Sequence, residues 1–215
     1  MFAEAPVTIR EVAVANMTGN ATLHTPRYAS AEEGIDRFVD EWSSLTQTYN
    51  STRRQFPERF TEVRHMKVKA VTLDSENIPN VGFIKIDVEG AEHEVLKGSR
   101  RTIKKFRPNL LVEIEERHRP GATGDIPAYL NSLGYEGYFL IENALYDIEY
   151  FSADSLQRGK VFPGSRDRRY PHYIYNFIFI PAEKQAAKQK LFAYFNVPSQ
   201  IAPKKQMLVP DTIPA

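Results

Sequence analysis

The chain contains no cysteine, which excludes disulfide bridges, thiolate zinc sites and cysteine nucleophiles at once. That absence fits a cytosolic protein, where thiols are kept reduced. Long hydrophobic runs are missing too. The longest apolar stretches, such as Phe177-Ile178-Phe179-Ile180, fall far short of the roughly 20 residues a membrane helix needs. Met1 to Pro6 show no basic segment leading into an apolar one, so no signal peptide is expected. Charge of one sign is not in excess: 28 Lys and Arg face 27 Asp and Glu, for a net charge of +1. The composition as a whole therefore offers no electrostatic pull toward nucleic acid or an anionic membrane. At 215 residues and 42% apolar content the chain can build one domain with appendages and a sizeable core. The expectation is a soluble, cytoplasmic protein.

The most informative stretch is Phe83-Ile84-Lys85-Ile86-Asp87-Val88-Glu89-Gly90-Ala91-Glu92. It reads as a buried parallel strand running out into an acidic loop and then a helix. Lys85, Asp87 and Glu89 alternate with Ile84, Ile86 and Val88, so the three charged groups share one face. A wholly ionic face on a core strand is costly unless its charges pair or line a cleft. Ligands in open α/β sheets bind beyond the carboxyl ends of the strands, where Asp87 and Glu89 fall. The same pattern also fits a structural Lys85–Asp87 ion pair with Glu89 capping the next helix.

Along the chain, Val7 to Val14 and Ala21 to His24 read as strands joined in a hairpin by the turn Asn16 to Asn20. Ser30-Ala31-Glu32-Glu33 is a capping box. Behind it Ile35, Phe38, Val39, Trp42 and Leu45 recur at helical spacing, so an insertion helix is expected over about 30–46. Thr46 to Arg59 reads as loop. Val68 to Leu73 and Phe83 to Val88 are strands. One or two short helices follow over Ala91 to Phe106, weakened at Gly98 and stopped by Arg107-Pro108. Their Arg100, Arg101, Lys104 and Lys105 form a solvated basic face. Asn109 to Ile114 is a strand and Ile126 to Leu133 a helix closed by Gly134. Gly121 to Gly124 carries only a loop signal. Tyr135 to Ile141 and Tyr173 to Ile180 are strands joined by an irregular aromatic segment. Ala182 to Phe195 forms a last helix before a proline-containing tail. Repeated strand–helix–strand units point to an α/β fold whose sheet is mostly parallel, with an antiparallel edge strand near the C-terminus.

If the strands at Phe83–Val88 and Leu110–Ile114 are neighbours, roughly 4.8 Å apart, then Asp87, Glu89 and Glu113 approach one another at the carboxyl edge. Glu115, Glu116 and His118 follow in the next loop, and His93 lies one turn into the helix after Glu89. Carboxylates gathered in this way can hold a hard divalent cation or raise the pKa of one member and make a general base. His93 reads as a solvated helix residue and His118 as a loop residue. Nucleophile elbows, phosphate-cradling loops and paired-histidine zinc motifs are missing.

Three stretches together, Val71-Thr72-Leu73-Asp74, Phe83 through Gly98 and Arg107-Pro108-Asn109-Leu110-Leu111-Val112-Glu113-Ile114, resemble the FkbM-type methyltransferase family. Tyr175 to Pro181 is similar to the family's closing strand, and Val12 to Asn16 with Gly19 and Ala21 to Leu23 to its third strand and following hairpin. The resemblance spans about residues 7 to 181. It implies a class I, Rossmann-like fold with strand order 3-2-1-4-5-7-6 and S-adenosylmethionine as methyl donor. The transfer would be to an oxygen of a small molecule or sugar. Carried over, Phe83–Val88 is the fourth strand and Leu110–Ile114 the fifth. The implied catalytic residues are Asp87, Glu89 and Glu113, and the implied cofactor-binding residues are Asn16 and Asp87, with Asn16 near the adenine. No metal ligand is assigned, although a divalent ion could assist.

The family's first two strands, with their glycine-rich loop and ribose-binding acid, have no counterpart here. The expectation is therefore a partial methyltransferase domain over 1–182, followed by a short helix and tail over 183–215. Its sheet would have a gap between the third and fourth strands and sticky edges there. Such a chain would be a truncated form, or would act with an oligomeric partner or a complementing N-terminal segment. Two other readings stand beside the O-methyltransferase. One is a non-catalytic binding or assembly module that retains a methyltransferase-like sheet. The other, weaker, is a nucleic-acid 2′-hydroxyl methyltransferase, suggested by the Lys/Asp/Glu set and the basic helix face, which strong salt-dependent RNA binding would have to support.

Overall fold

A computed structural model describes residues 6–30, 34–39, 43–45, 60–157 and 173–195. Among them, nine strands form two sheets, and five α-helices accompany them. The first sheet has the order β1-β4-β2-β3, with β1 Ala13–Val14, β2 Gly19–Ser30, β3 Ile35–Phe38 and β4 Phe60–Val71. Strands β2 and β4 form a long antiparallel ladder from Gly19 opposite Ala70 to Tyr28 opposite Phe60, with an irregularity at Arg27 and Tyr28. Toward its end, β4 alternates as a half-buried strand should. Lys67 and Lys69 are exposed, while Val68 is half-buried and Ala70 fully buried.

Three expectations for this region are corrected. Strands β1 and β2 do not pair as a hairpin, because β4 lies between them, parallel to β1 and antiparallel to β2. The segment that ends in the buried Ala70 and Val71 takes the central place, where an apolar strand is covered best. The first strand is also short: Val7 and Ile9 are 82% and 83% exposed and no ladder extends to them. Finally, the insertion helix expected over about 30–46 gives way to β3, which pairs antiparallel with β2 from Arg27–Phe38 to Ser30–Ile35. A hairpin ladder, the Arg27–Asp36 ion pair at 2.9 Å and the Arg64 guanidinium over the Phe38 ring override the helical spacing. The capping-box residues Ala31 to Glu33, Trp42 and the stretch 46–59 lie outside the described residues.

The second sheet has the order β5-β6-β9-β7-β8: β5 Phe83–Ile86, β6 Asn109–Glu113, β7 Tyr135–Ile141, β8 Ala144–Asp147 and β9 Asn176–Pro181. Of the neighbouring strands here only β5 and β6 are bonded in parallel. Strand β9 inserts antiparallel between β6 and β7, and β8 folds back on β7. The expectation of a mostly parallel sheet with an antiparallel edge strand near the C-terminus is met only in part: β5, β6 and β7 share one direction, β8 and β9 oppose them, and the antiparallel β9 lies inside the sheet rather than at its edge. Apolar patterning marks a strand but carries no direction. Direction follows from the connection, and tight connections return the chain antiparallel. Strand β5 is also an edge rather than a buried strand. Ile86 is buried, but Phe83 is 59% exposed.

The helices are α1 Glu92–Gly98, α2 Arg100–Phe106, α3 Ala122–Ser132, α4 Ala153–Leu156 and α5 Gln185–Tyr194. Helix α3 begins four residues ahead of its expected start and carries Pro127 inside. It takes in the stretch read as loop. Val95, Leu96, Ile103, Ile126 and Leu130 from α1 to α3 share one core with Ile86, Leu110, Val112, Phe139, Phe177 and Phe179 of the sheet. Helix α5 lays Phe192 edge-to-face on Tyr138, 5.4 Å between centroids. The first sheet meets α1 where β1 ends. The Ala15 amide donates to the Val71 carbonyl at 2.8 Å, and a Cβ on Gly98 would lie only 2.0 Å from the Ala15 carbonyl oxygen. Only glycine permits this approach of the first sheet to α1.

Candidate active site

Strands β5 and β6 run parallel with Ile86 opposite Val112, so their carboxyl ends emerge side by side. One carboxylate oxygen from each of Asp87, Glu89 and Glu113 lies within 4.8 Å of the others. The turn after β5 helps aim them. Glu89 has φ +53° and Gly90 φ +97°, two left-handed residues in succession, a conformation costly for glutamate. Ser44 Oγ donates to the Glu89 carbonyl oxygen at 2.6 Å, and the Gly90 amide donates to Glu92 Oε1 at 2.8 Å. These bonds hold the reversal. Glu92 is buried, and that burial raises its pKa against the pull of the Gly90 amide.

Around this edge the charges are arranged unevenly. Lys85 pairs with Asp87. Glu89 Oε2 lies 3.0 Å from His118 Nδ1, and His118 Nε2 lies 3.7 Å from Glu115 Oε1. Arg117 grips Glu115 with two hydrogen bonds of 2.7 Å, and the Tyr173 hydroxyl donates to the same carboxylate. Burial works against the charge on Glu115, but Arg117, His118 and Tyr173 outweigh it and hold that carboxyl below its ordinary range. Among the described residues no ion pair holds Glu113, although its charge reaches Lys85. Burial first, then the charges of Asp87, Glu115 and Glu89, push it up to about 8. Crowding of acids at this edge thus favours the protonated form of Glu113.

The sequence-predicted residues separate as follows. Asp87, Glu89 and Glu113 come together. Asn16 does not join them through any bond; its side-chain amide donates to Glu94 on α1. His118 lies in the loop after β6, as expected, but as a member of the site, its side chain only 9% exposed between two carboxylates. His93 is half-buried against Tyr129, 5.4 Å between centroids. Glu116 serves the fold, accepting from the Gly121 and Thr123 amides at 2.6 and 2.8 Å at the start of α3. Arg117 and Tyr173 were not anticipated. A run of four charged or titratable residues, Glu115 to His118, immediately after a buried strand was the available signal for Arg117. Tyr173 is brought in by a segment 58 residues away from Glu115 and left no local mark.

The methyltransferase FkbM domain model matches residues 3–136 of the chain, more than half of its length. The chain belongs to the FkbM methyltransferase family. A crystal structure of methyltransferase FkbM from Methylobacillus flagellatus KT is similar at 21% identity with a TM-score of 0.34. The alignment covers 53% of this chain and 23% of that one, so the chain spans about a quarter of that protein's length. No curated protein matches the chain. Among the described residues, no helix is long and apolar enough to cross a membrane.

Proposed function

We propose that this chain carries the acceptor side of an S-adenosylmethionine-dependent O-methyltransferase acting in the cytoplasm on a small-molecule or sugar hydroxyl. Family membership supports methyl transfer. The strand order β5-β6-β9-β7 supports a class I sheet, since it follows the fourth, fifth, seventh and sixth places of that fold. The observation that carries the reading is the convergence of Asp87, Glu89 and Glu113 at the end of the one parallel pair in the second sheet. The cofactor itself finds only part of what it needs. An acidic edge suits a cationic sulfonium and an acceptor hydroxyl. Among the described residues, though, no glycine-rich strand-to-helix turn presents amides to its methionine carboxylate, and Asn16 is engaged by Glu94. No step is therefore routed through the donor.

The chain's own residues would work on the acceptor. Asp87, held by Lys85, orients the hydroxyl. Glu113, poised near pH 8, takes its proton once ionised, because a base titrating near the working pH transfers protons well. Arg117 and His118 fix Glu115 and Glu89, keeping the negative field that sets Glu113. The same three carboxylates are also the hard oxygen set a divalent cation takes, and a bound cation would strip the proton from Glu113.

Labelled-donor transfer assays on the active protein test the reading. Asp87→Asn should lower turnover by about 10²-fold or more while circular dichroism stays unchanged. Wild-type rates in that variant would remove Asp87 from the chemistry. Calorimetric titration of S-adenosylmethionine into the chain distinguishes an enzyme from a non-catalytic binding or assembly module, which would show no donor affinity.

A further inference from the structure

His24 on β2 and His65 on β4 stand directly opposite each other in the long antiparallel ladder. The backbone fixes how close they are. The His24 amide donates to the Ser44 carbonyl at 2.9 Å, and the Ser44 amide donates to the His24 carbonyl at 3.1 Å. Both polar backbone groups of His24 thus face away from β4. His24 and His65 therefore form a non-hydrogen-bonded pair, the kind that brings opposing side chains closest. Their Nδ1 atoms lie 2.9 Å apart, and the rings meet edge-to-face at 4.9 Å between centroids. As the pair stands, one imidazole donates its proton to the other.

We propose that His24 and His65 form a two-imidazole site for a borderline divalent transition metal, Cu2+ or Ni2+ foremost. Two metal–nitrogen bonds of about 2.0–2.1 Å set at a right angle span about 2.9 Å. The Nδ1 separation already matches the edge of a square-planar or octahedral site. Turning the donating imidazole to its other tautomer frees the second lone pair. The neighbours on the same face are Thr22 opposite Lys67 and Pro26 opposite Val63. These described neighbours bring no carboxylate, so the pair itself offers nitrogen, which hard cations such as Mg2+ do not prefer. Solvent or a small ligand completes the coordination.

The test uses the untagged chain, titrated separately with Cu2+, Ni2+ and Mg2+ by calorimetry, with electron paramagnetic resonance of the Cu2+ form. The expected result is a Cu2+ site whose spectrum shows coupling to two imidazole nitrogens, with any Mg2+ response unchanged by His65→Gln. His65→Gln, at an exposed position and so tolerated by the fold, should weaken Cu2+ binding at least tenfold and remove that coupling. His93→Gln and Glu113→Gln should leave both intact, which separates this site from the acidic edge. Equal Cu2+ affinity in a His24→Gln/His65→Gln double variant would overturn the proposal, as would a bound spectrum without imidazole coupling.

Discussion

Glu113 holds its proton because of what surrounds it. Its folded-state pKa, about 8 against an ordinary 4.5, means that between these values the folded chain binds a proton the unfolded chain has lost. Stability must therefore fall as pH rises through that window. Glu113→Gln, which cannot ionise, should match the parent near pH 4.5 and melt about 3 °C or more above it at pH 8.5. Scanning calorimetry across pH checks this, and parallel melting curves at every pH would show that Glu113 ionises normally. The residue was legible in the sequence as a carboxylate after Leu110-Leu111-Val112. That one carboxylate of the cluster would be raised was expected, but that it is Glu113 depends on its burial and on Asp87 and Glu89 arriving from another segment.

At the scale of elements, helices α1 and α2 divide at Gly98 and Ser99, and each end is fixed from outside. Asp74 accepts from the Arg101 and Thr102 amides at 2.9 and 2.7 Å. Burial opposes its charge, but these amides lower its pKa below the usual 3.8. A depressed carboxylate stabilises above its unfolded value and loses that contribution as pH falls through the folded one. Asp74→Ala should cost about 1–2 kcal/mol at neutral pH, with the gap closing below about pH 3.8, as read by urea denaturation at several pH values. Gly98→Ala tests the other end. Helix propensity alone favours alanine by about 1 kcal/mol, yet its Cβ would meet the Ala15 carbonyl oxygen at 2.0 Å. A net loss of about 2–3 kcal/mol is expected, and a gain would show that β1 does not seat there. The sequence marked Gly98 as a weak point between helices; the reason for glycine came from a strand more than 80 residues upstream.

For the whole molecule, β5 is the exposed element. Among the described residues it pairs with β6 alone, with Phe83 open to solvent beside it. An edge with apolar side chains templates association with another strand. Phe83→Lys should raise the concentration at which the chain self-associates, by several-fold in light scattering, without lowering its melting temperature. Unchanged association would place the sticky surface elsewhere.

Local chemistry in the sequence was enough to mark β5, β6, β7 and the two helices between β5 and β6. Alternating apolar residues, a glycine and an Arg-Pro stop act within a few residues of themselves. It was enough, too, to set Asp87, Glu89 and Glu113 at adjoining strand ends, because strand periodicity and one parallel pairing suffice for that. Strand direction, the hairpin that replaced the expected helix, the edge position of β5 and the Arg117–His118–Tyr173 frame were decided by tertiary structure alone. Each depends on which distant segment supplies backbone partners or counter-charges, and a spacing pattern within one segment holds no information about that partner.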